Sequence, residues 1–534
     1  MLASSTQAAS SPSRRVAQRR REQLLAFLRS IHQDAQFVRE VALQYRAVAG
    51  SRIPMVPNAR CGDWYVPTKE LGGAGVERAY FKSTDGHTGQ VAFSFARLNL
   101  HVAMLAATRG AVFVVDSTAR GKAFPDALSR TVPTWCAVLN RCVERARGTE
   151  AWDPDGHGVL TFPPWVHESE LDVVAASIDG WASKLAAIAL ATRTSGGLLA
   201  ALCATLTKPL RPIWIGNGST MEAESIPPPS ELPFTPVVLV SASKQMDPTS
   251  AAHREAHSWP YIQGAGDDQE GWARGLRAAE WWVHADALLS TGSDDACAEL
   301  IAAIVQQRRS ASSTTSGATP FLLPPLDMSG GSRRSVAIAS RGALLATLAT
   351  AAASEVGRFS VVVDASPRCR SSDAASSSSD DGAVGRALRR VGAGLTGRVC
   401  FVRVPIAATK GGGDAATYWI ATVLPTVLRA AVTAGSSNAP VLVVCGDGEQ
   451  VSAAVAVAVL VARAALAPAA AAAGAARVPP SKASVQRAQV ELQMWHPAAR
   501  PPRRLMKQLT RFFCSPAQSA GGGTPWASLF CELS

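Results

Sequence analysis

Apolar residues at Leu24, Leu28, Ile31, Ala35 and Val38 recur at helical spacing and predict a helix from Leu24 to Tyr45. A Pro-containing loop follows and reaches NARCGDWYVP (58–67). The pattern then predicts a strand-and-loop region around Tyr80 and a helix near Phe93 to Ala106. AVFVVD, Ala111 to Asp116, is a continuous Val-rich run and predicts a buried strand. Polar residues begin where a parallel strand would end, and open α/β sheets bind ligands at such ends. TPVVLVSAS, Thr235 to Ser243, predicts a second strand that ends in small hydroxyl residues, and YIQGAGDDQEGW (261–272) reads as a loop.

The pattern changes after Ser310. Residues Ser310 to Ser335 are rich in Ser, Thr, Gly and Pro and read as an interdomain linker. Beyond it, strands are predicted at Ser360 to Asp364, Val399 to Val404 and Val441 to Val444, alternating with Ala-rich helical stretches. The expected organisation is a basic tail (1–21), an N-terminal domain (22–309), the linker (310–335) and a C-terminal domain (336–534), with α/β folds in both domains. SSDAASSSSDDG (371–382) and the Ala-rich run near 470 read as variable insertions. The run Ala453 to Ala476 carries Arg463 and Pro468 and is only weakly apolar, so it reads as core helix plus linker and not as a membrane span.

With 534 residues and 47% hydrophobic composition, the chain can bury two or more cores. A net charge of +12 favours a polyanionic partner, whether RNA, DNA, a phosphorylated metabolite or an anionic membrane. The first 21 residues carry Arg14, Arg15, Arg19, Arg20 and Arg21 and no acid. They suit an organelle-targeting segment, an RNA-contacting arm or a solvated tail. The ten cysteines are scattered and lack zinc spacing, which points to a reducing, cytoplasmic compartment.

Four polar segments carry candidate chemistry. YFKSTDGH (80–87) gathers Lys82, Ser83, Thr84, Asp85 and His87 around Gly86. It fits a polyphosphate pocket with Asp85 or His87 moving a proton, and equally a polar surface turn. Asp116, Ser117, Thr118, Arg120, Gly121 and Lys122 follow directly on a buried strand, an arrangement that gathers amides, hydroxyls and cations around phosphate. Ser117 or Thr118 could instead cap a helix. The loop with Gly264, Gly266, Asp267 and Asp268 offers close backbone approach and a carboxylate pair suited to Mg²⁺, or a solvated acidic turn. VVCGDGEQVS (443–452) resembles the strand–Cys–loop–helix of cysteine phosphatases, but position 451 is Val where that motif needs Arg. Cys445, Gly448 and Ser452 remain candidates for anion contact at a helix N-terminus.

Taken together, PNARCGDWYVP (57–67), YFKSTDGHTGQVAFSFARLNLH (80–101), VVDSTARGKAFPDALSRTVPTWCAVLN (114–140), KPLRPIW (208–214), VLVSAS (238–243) and YIQGAGDDQEGWA (261–273) resemble the initiator-tRNA 2'-O-ribosyl phosphate transferase family. VLVVCGDGEQVSAAVAVAVL (441–460) and PPRRLMKQLTRFF (501–513) extend the resemblance. It implies a pentosyltransferase that moves 5-phosphoribosyl from phosphoribosyl pyrophosphate to the 2'-OH of adenosine 64 in initiator tRNA. It also implies a C-terminal domain like dual-specificity phosphatases. Gly448-Glu449-Gln450 stands where that family has Gly-Lys-Asp, replacing a cation by an acid.

Residue chemistry then assigns Lys82, Arg120 and Lys122 to the phosphates, and Ser117, Thr118 and Gly121 to the 5'-phosphate. Asp116 or Asp85 is the expected base, with His87 third, and Asp267 and Asp268 are assigned to Mg²⁺. Arg500, Arg503, Arg504, Lys507 and the N-terminal arginines are the expected tRNA contacts. The competing class is a non-catalytic RNA- or phosphate-binding protein on a dead phosphatase-like domain.

Overall fold

The computed structural model describes residues 23–50, 53–67, 78–83, 91–119, 121–148, 153, 155–190, 198–218, 225–246, 259–267, 269–311, 336–341, 344, 359–365, 400–404, 418–433, 440–446, 448–466, 479–496, 499–514 and 525–533. They divide into two compact units whose main boundary falls between Arg309 and Ser310. Both units are α/β.

The first unit opens with helix α1 (Leu24–Ala49), whose buried face includes Leu24, Leu28, Ile31, Ala35 and Val38 as the spacing predicts. Near its start, the Leu25 amide donates to Asp294 Oδ1 at 2.7 Å. There follow β1 (Met55–Pro57), α2 (Leu100–Arg109), β2 (Val112–Asp116), a π-helical turn (Ala127–Thr131) leading into α3 (Val132–Arg147), α4 (Glu168–Leu190), α5 (Leu198–Thr205), β3 (Leu210–Gly216), β4 (Thr235–Ser241), α6 (Ala278–Leu289) and α7 (Asp294–Ala311). The four strands form one parallel sheet in the order β1-β2-β4-β3. β2 and β4 are buried along their whole length, which explains their continuous apolar runs. Pro212 is tolerated in β3 because that strand lies at the edge. Parallel pairing puts all four carboxyl ends on one side, where Asp116 stands level with Ser241.

One predicted element shifts. The helix expected near Phe93 to Ala106 begins only at Leu100, and residues 93–99 are not helical. Asn99 sits in the left-handed region at φ 45°. Its side-chain amide pairs with the backbone of Tyr80, accepting from the amide at 2.8 Å and donating to the carbonyl at 3.2 Å.

The second unit contains β5 (Val336–Ser340), β6 (Val361–Asp364), β7 (Cys400–Arg403), α8 (Leu424–Thr433), β8 (Val441–Cys445), α9 (Val451–Leu466), α10 (Lys482–Trp495), α11 (Arg503–Cys514) and α12 (Pro525–Leu533). Its sheet is also parallel, in the order β5-β8-β6-β7. The Ala- and Val-rich α9 lies in this unit's core. Among the described residues no helix is long and apolar enough to cross a membrane.

Candidate active site

The floor of the site is the Asp116 carboxylate, fully buried at the end of β2. Asn58 Nδ2 donates to Oδ2 at 2.8 Å, and the Arg60 guanidinium approaches the same oxygen at 3.4 Å. Oδ1 accepts from the Cys61 thiol at 2.9 Å and from the Ser117 amide at 2.9 Å. Burial, with the Asp116 charge beside it, pushes the Cys61 thiol well up, so it stays a neutral donor. Arg60 Nη1 reaches both oxygens of Asp267 at 2.9 Å, and Nη2 donates to the Ser117 carbonyl. Burial works against the Arg60 charge, but the carboxylates of Asp116 and Asp267 more than offset it. The short sequence Asn58 to Cys61, carried by the edge strand β1, thus satisfies a buried acid on the neighbouring strand.

Asn58 has a second task. Its Oδ1 accepts from the Phe81 amide at 2.8 Å and its Nδ2 donates to the Phe81 carbonyl at 2.9 Å. Asn58 and Asn99 therefore hold Tyr80 and Phe81 by their backbones, as a neighbouring strand would. Lys82 follows with an exposed side chain, and its carbonyl accepts from Thr131 Oγ1 at 3.2 Å. Ser83 is half-buried, while Thr84, Asp85, Gly86 and His87 lie outside the described residues. A shallow cleft beside this segment is lined by Tyr80, Phe81, Phe93, Arg97, Thr134 and Trp135. Arg97 lies over the Tyr80 ring at 5.5 Å, and the buried Thr134 hydroxyl has no hydrogen-bond partner among the described residues.

A chain of hydroxyls ties the strand ends together. Ser117 Oγ and Ser243 Oγ are 2.6 Å apart, and Ser243 donates to Asp34 Oδ2 at 2.6 Å. Tyr261 OH donates to Asp34 Oδ1 at 2.7 Å and receives the Lys244 amide at 2.9 Å. The Gly264 amide reaches Ser243 Oγ at 3.1 Å, and the Gly266 amide reaches Tyr65 OH at 2.7 Å. Asp34 comes from the middle of α1 and is fully buried, and burial pushes its carboxyl up to about 7. Gly264 adopts φ +67°, and a Cβ there would lie 2.5 Å from the Thr118 carbonyl oxygen, so only glycine closes this loop onto the end of β2.

The rim carries an ion-paired network. Lys122 is half-exposed and pairs with Asp126 at 2.9 Å, and Arg130 holds the same oxygen at 3.3 Å. Arg130 is braced in turn by Glu170 at 2.8 Å.

Of the residues expected in this site, the structure brings Asp116, Ser117, Thr118, Gly264, Gly266 and Asp267 together, with Gly121 and Lys122 on the adjoining loop. It gives several of them other partners than those expected. Asp116 is enclosed by donors, the Ser117 hydroxyl is buried against Ser243, and Asp267 is engaged by Arg60. Arg120 and Asp268 lie outside the described residues. Among the described residues no cluster of three metal-ligating side chains occurs. Participants with no predicted role include Asp34, Asn58, Arg60, Cys61, Tyr65, Ser243 and Tyr261. A signal for Asp34 was present, since an acid among Ile31, Ala35 and Val38 breaks an apolar stripe.

In the second unit, Cys445 ends β8 and its thiol donates to Ser452 Oγ at 3.2 Å. Gly448, at φ +76°, packs against the end of β5, where a Cβ would lie 2.5 Å from the Ser340 amide. Glu449 lies 3.9 Å from Arg500. Arg503, Arg504 and Lys507 are exposed along α11.

Two parallel α/β units, one with a polar cluster across its strand ends, define the class. The chain belongs to the Rit1 family. Residues 17–306 match the Rit1 N-terminal domain, and residues 402–513 match the Rit1 DUSP-like domain. It is 39% identical over 264 residues to an uncharacterized protein of Schizosaccharomyces pombe, covering 49% of this chain and 52% of that one. It is 34% identical over 250 residues to the tRNA A64-2'-O-ribosylphosphate transferase of Saccharomyces cerevisiae, covering 44% of this chain and 46% of that one. The matches thus span about half the length of these relatives. No solved structure matches the chain.

Proposed function

We propose that this chain transfers 5-phosphoribosyl from phosphoribosyl pyrophosphate to the 2'-OH of adenosine 64 of initiator tRNA and so keeps that tRNA out of elongation. The observation that carries the reading is the strand-end cluster of Asp116, Arg60, Asp267, Ser117 and Ser243 inside a Rit1 N-terminal domain. Such a reaction passes through an oxocarbenium-like state while pyrophosphate departs. Donors fixed in advance on the departing charge supply about 3–4 kcal/mol each.

Lys122 is the first cation for the phosphates. When it swings away, Asp126 keeps Arg130, so no buried charge is orphaned. Lys82 and Arg120 complete the cationic set by their chemistry. Asp116, enclosed by four donors, holds the loops in place, which leaves Asp85 and His87 as the groups to take the 2'-OH proton. Asp267 is committed to Arg60, so the described residues do not form a protein-held Mg²⁺ site. Mg²⁺ enters this reading only as the counter-ion of the pyrophosphate, and no step runs through it. The acceptor nucleotide docks at the Tyr80–Arg97 cleft, where rings and a guanidinium suit stacking. The exposed cations of α11 meet RNA phosphates. The described cysteines are free thiols, which suits work on cytoplasmic tRNA.

The test is incubation of the purified chain with labelled phosphoribosyl pyrophosphate and total tRNA. Label is expected in initiator tRNA alone and to be lost in Lys122→Ala, with tRNA binding retained. Absence of label from every tRNA overturns the reading. Normal turnover in Lys122→Ala moves the phosphate site elsewhere.

A further inference from the structure

We infer that Asp34 is a positioning residue of this site, the terminal acceptor of a directional hydroxyl chain that locks the loops after β2 and β4 and the 261–267 loop into one arrangement. The inference rests on the proposed transfer reaction for its kinetic arm alone.

The direction follows from donor and acceptor inventory. Once ionised, the carboxylate only accepts, so Ser243 and Tyr261 then both spend their single protons on Asp34. Toward their other neighbours those oxygens are then acceptors. Ser243 Oγ takes the Ser117 hydroxyl and the Gly264 amide, and Tyr261 OH takes the Lys244 amide. One carboxylate thereby sets the sense of three hydroxyl hydrogen bonds, and two backbone amides fill the acceptor sites that remain. Its two hydroxyl partners lie 209 and 227 residues away in sequence. The same chain closes over Gly264, whose backbone rests on Thr118 with no room for a side chain.

A carboxyl buried without a cationic partner costs free energy that a Leu or Ala in the stripe of α1 would not. Its partners here are two hydroxyls and a backbone amide, all from loops of the site. That cost is what a site spends on holding its backbone donors still before a substrate arrives. Asp34 touches none of the exposed rim, so it acts through Ser243, Tyr261 and Gly264.

Asp34→Asn keeps the size but leaves only one acceptor oxygen. In that variant kcat/KM for phosphoribosyl pyrophosphate should fall about tenfold or more, while KM for tRNA stays close to that of the parent and the protein stays folded. The second arm needs no substrate. Hydrogen exchange at the Lys244 and Gly264 amides should quicken about tenfold in Asp34→Asn, and Tyr261→Phe should quicken Lys244 while sparing Gly264. Unchanged exchange at both amides in Asp34→Asn overturns the inference. So does a loss of kcat/KM that only tracks a loss of folded protein. If Asp34→Asn does not fold, Tyr261→Phe decides by the same two amides. If the parent transfers no label at all while the exchange pattern holds, the proposed reaction fails and the positioning role stands.

Discussion

The two units solve the same backbone problem and fill it with different chemistry. Each is a parallel four-stranded sheet, and in each a glycine with positive φ lets a loop rest on the end of a strand: Gly264 on β2, Gly448 on β5. In the first unit that closure gathers a buried acid, an arginine and a chain of hydroxyls. In the second it leaves a thiol on a serine, with Val451 where a phosphatase loop needs arginine and Glu449 beside Arg500. The fold supplies a ledge at the strand ends, and the loop residues decide whether that ledge does chemistry.

The comparison breaks most sharply at Asp116. Asp116→Ala removes the acceptor for Asn58, Cys61 and the Ser117 amide at once and leaves the half-buried Arg60 with Asp267 as its acid. A loss of about 3–5 kcal/mol is expected in urea unfolding of the first unit, at about 1–3 kcal/mol for each buried donor left unsatisfied, together with loss of transfer. A loss below 1 kcal/mol would show that this cluster is not what holds the loops.

Titration of Asp34 comes next. Its carboxyl sits near 7 when folded because of burial, against about 3.9 in the unfolded chain. Between those values the folded protein keeps a proton that the unfolded chain has released. Its contribution is therefore fully present below about pH 4 and is lost as pH rises through about 7, a fall of about 4 kcal/mol. Tyr65 and Tyr261 face the same carboxyl, and burial pushes both upward, so they stay neutral across this window. Unfolding midpoints from pH 4 to 8 should slope in the parent and flatten in Asp34→Asn.

The glycines sharpen the comparison. Gly264→Ala and Gly448→Ala should each cost about 1–3 kcal/mol, because both place a Cβ against backbone at positive φ. Only Gly264→Ala should also abolish transfer in a labelled tRNA assay. The smallest effect belongs to Cys445→Ser, which should leave turnover unchanged within about twofold, since no guanidinium stands at the sixth position to make the thiol part of a phosphate clamp. A tenfold loss there would give the second unit a chemical role.

The central strands of the first sheet are legible in the sequence because burial on both faces makes β2 and β4 unbroken apolar runs that end in polar residues. β1 and β3 are not, since a three-residue edge strand and one holding Arg211 and Pro212 leave no such run. The start of α2 is obscured because apolar residues continue on the N-terminal side of Asn99, whose left-handed backbone keeps the helix from beginning before Leu100. Asp116 and Ser117 stand out by their position at a strand end, and Gly264 by its place in a Gly- and Asp-rich loop. Asn58 does not, and Asp34 shows only as an acid in an apolar stripe, because their partners lie 58 and 209 residues away and periodicity carries no information about such pairs.

The bond from the Leu25 amide to Asp294 joins residues 269 apart. A ribosome adding about 5–20 residues per second needs tens of seconds to reach that aspartate after making the first helix. Through that interval α1 waits with that donor unfilled and its cover from α6 and α7 not yet made. A stalled or truncated product ending before residue 294 would therefore be a substrate for chaperones or proteases rather than a shorter enzyme, and quality control at synthesis becomes part of how this chain reaches its working form.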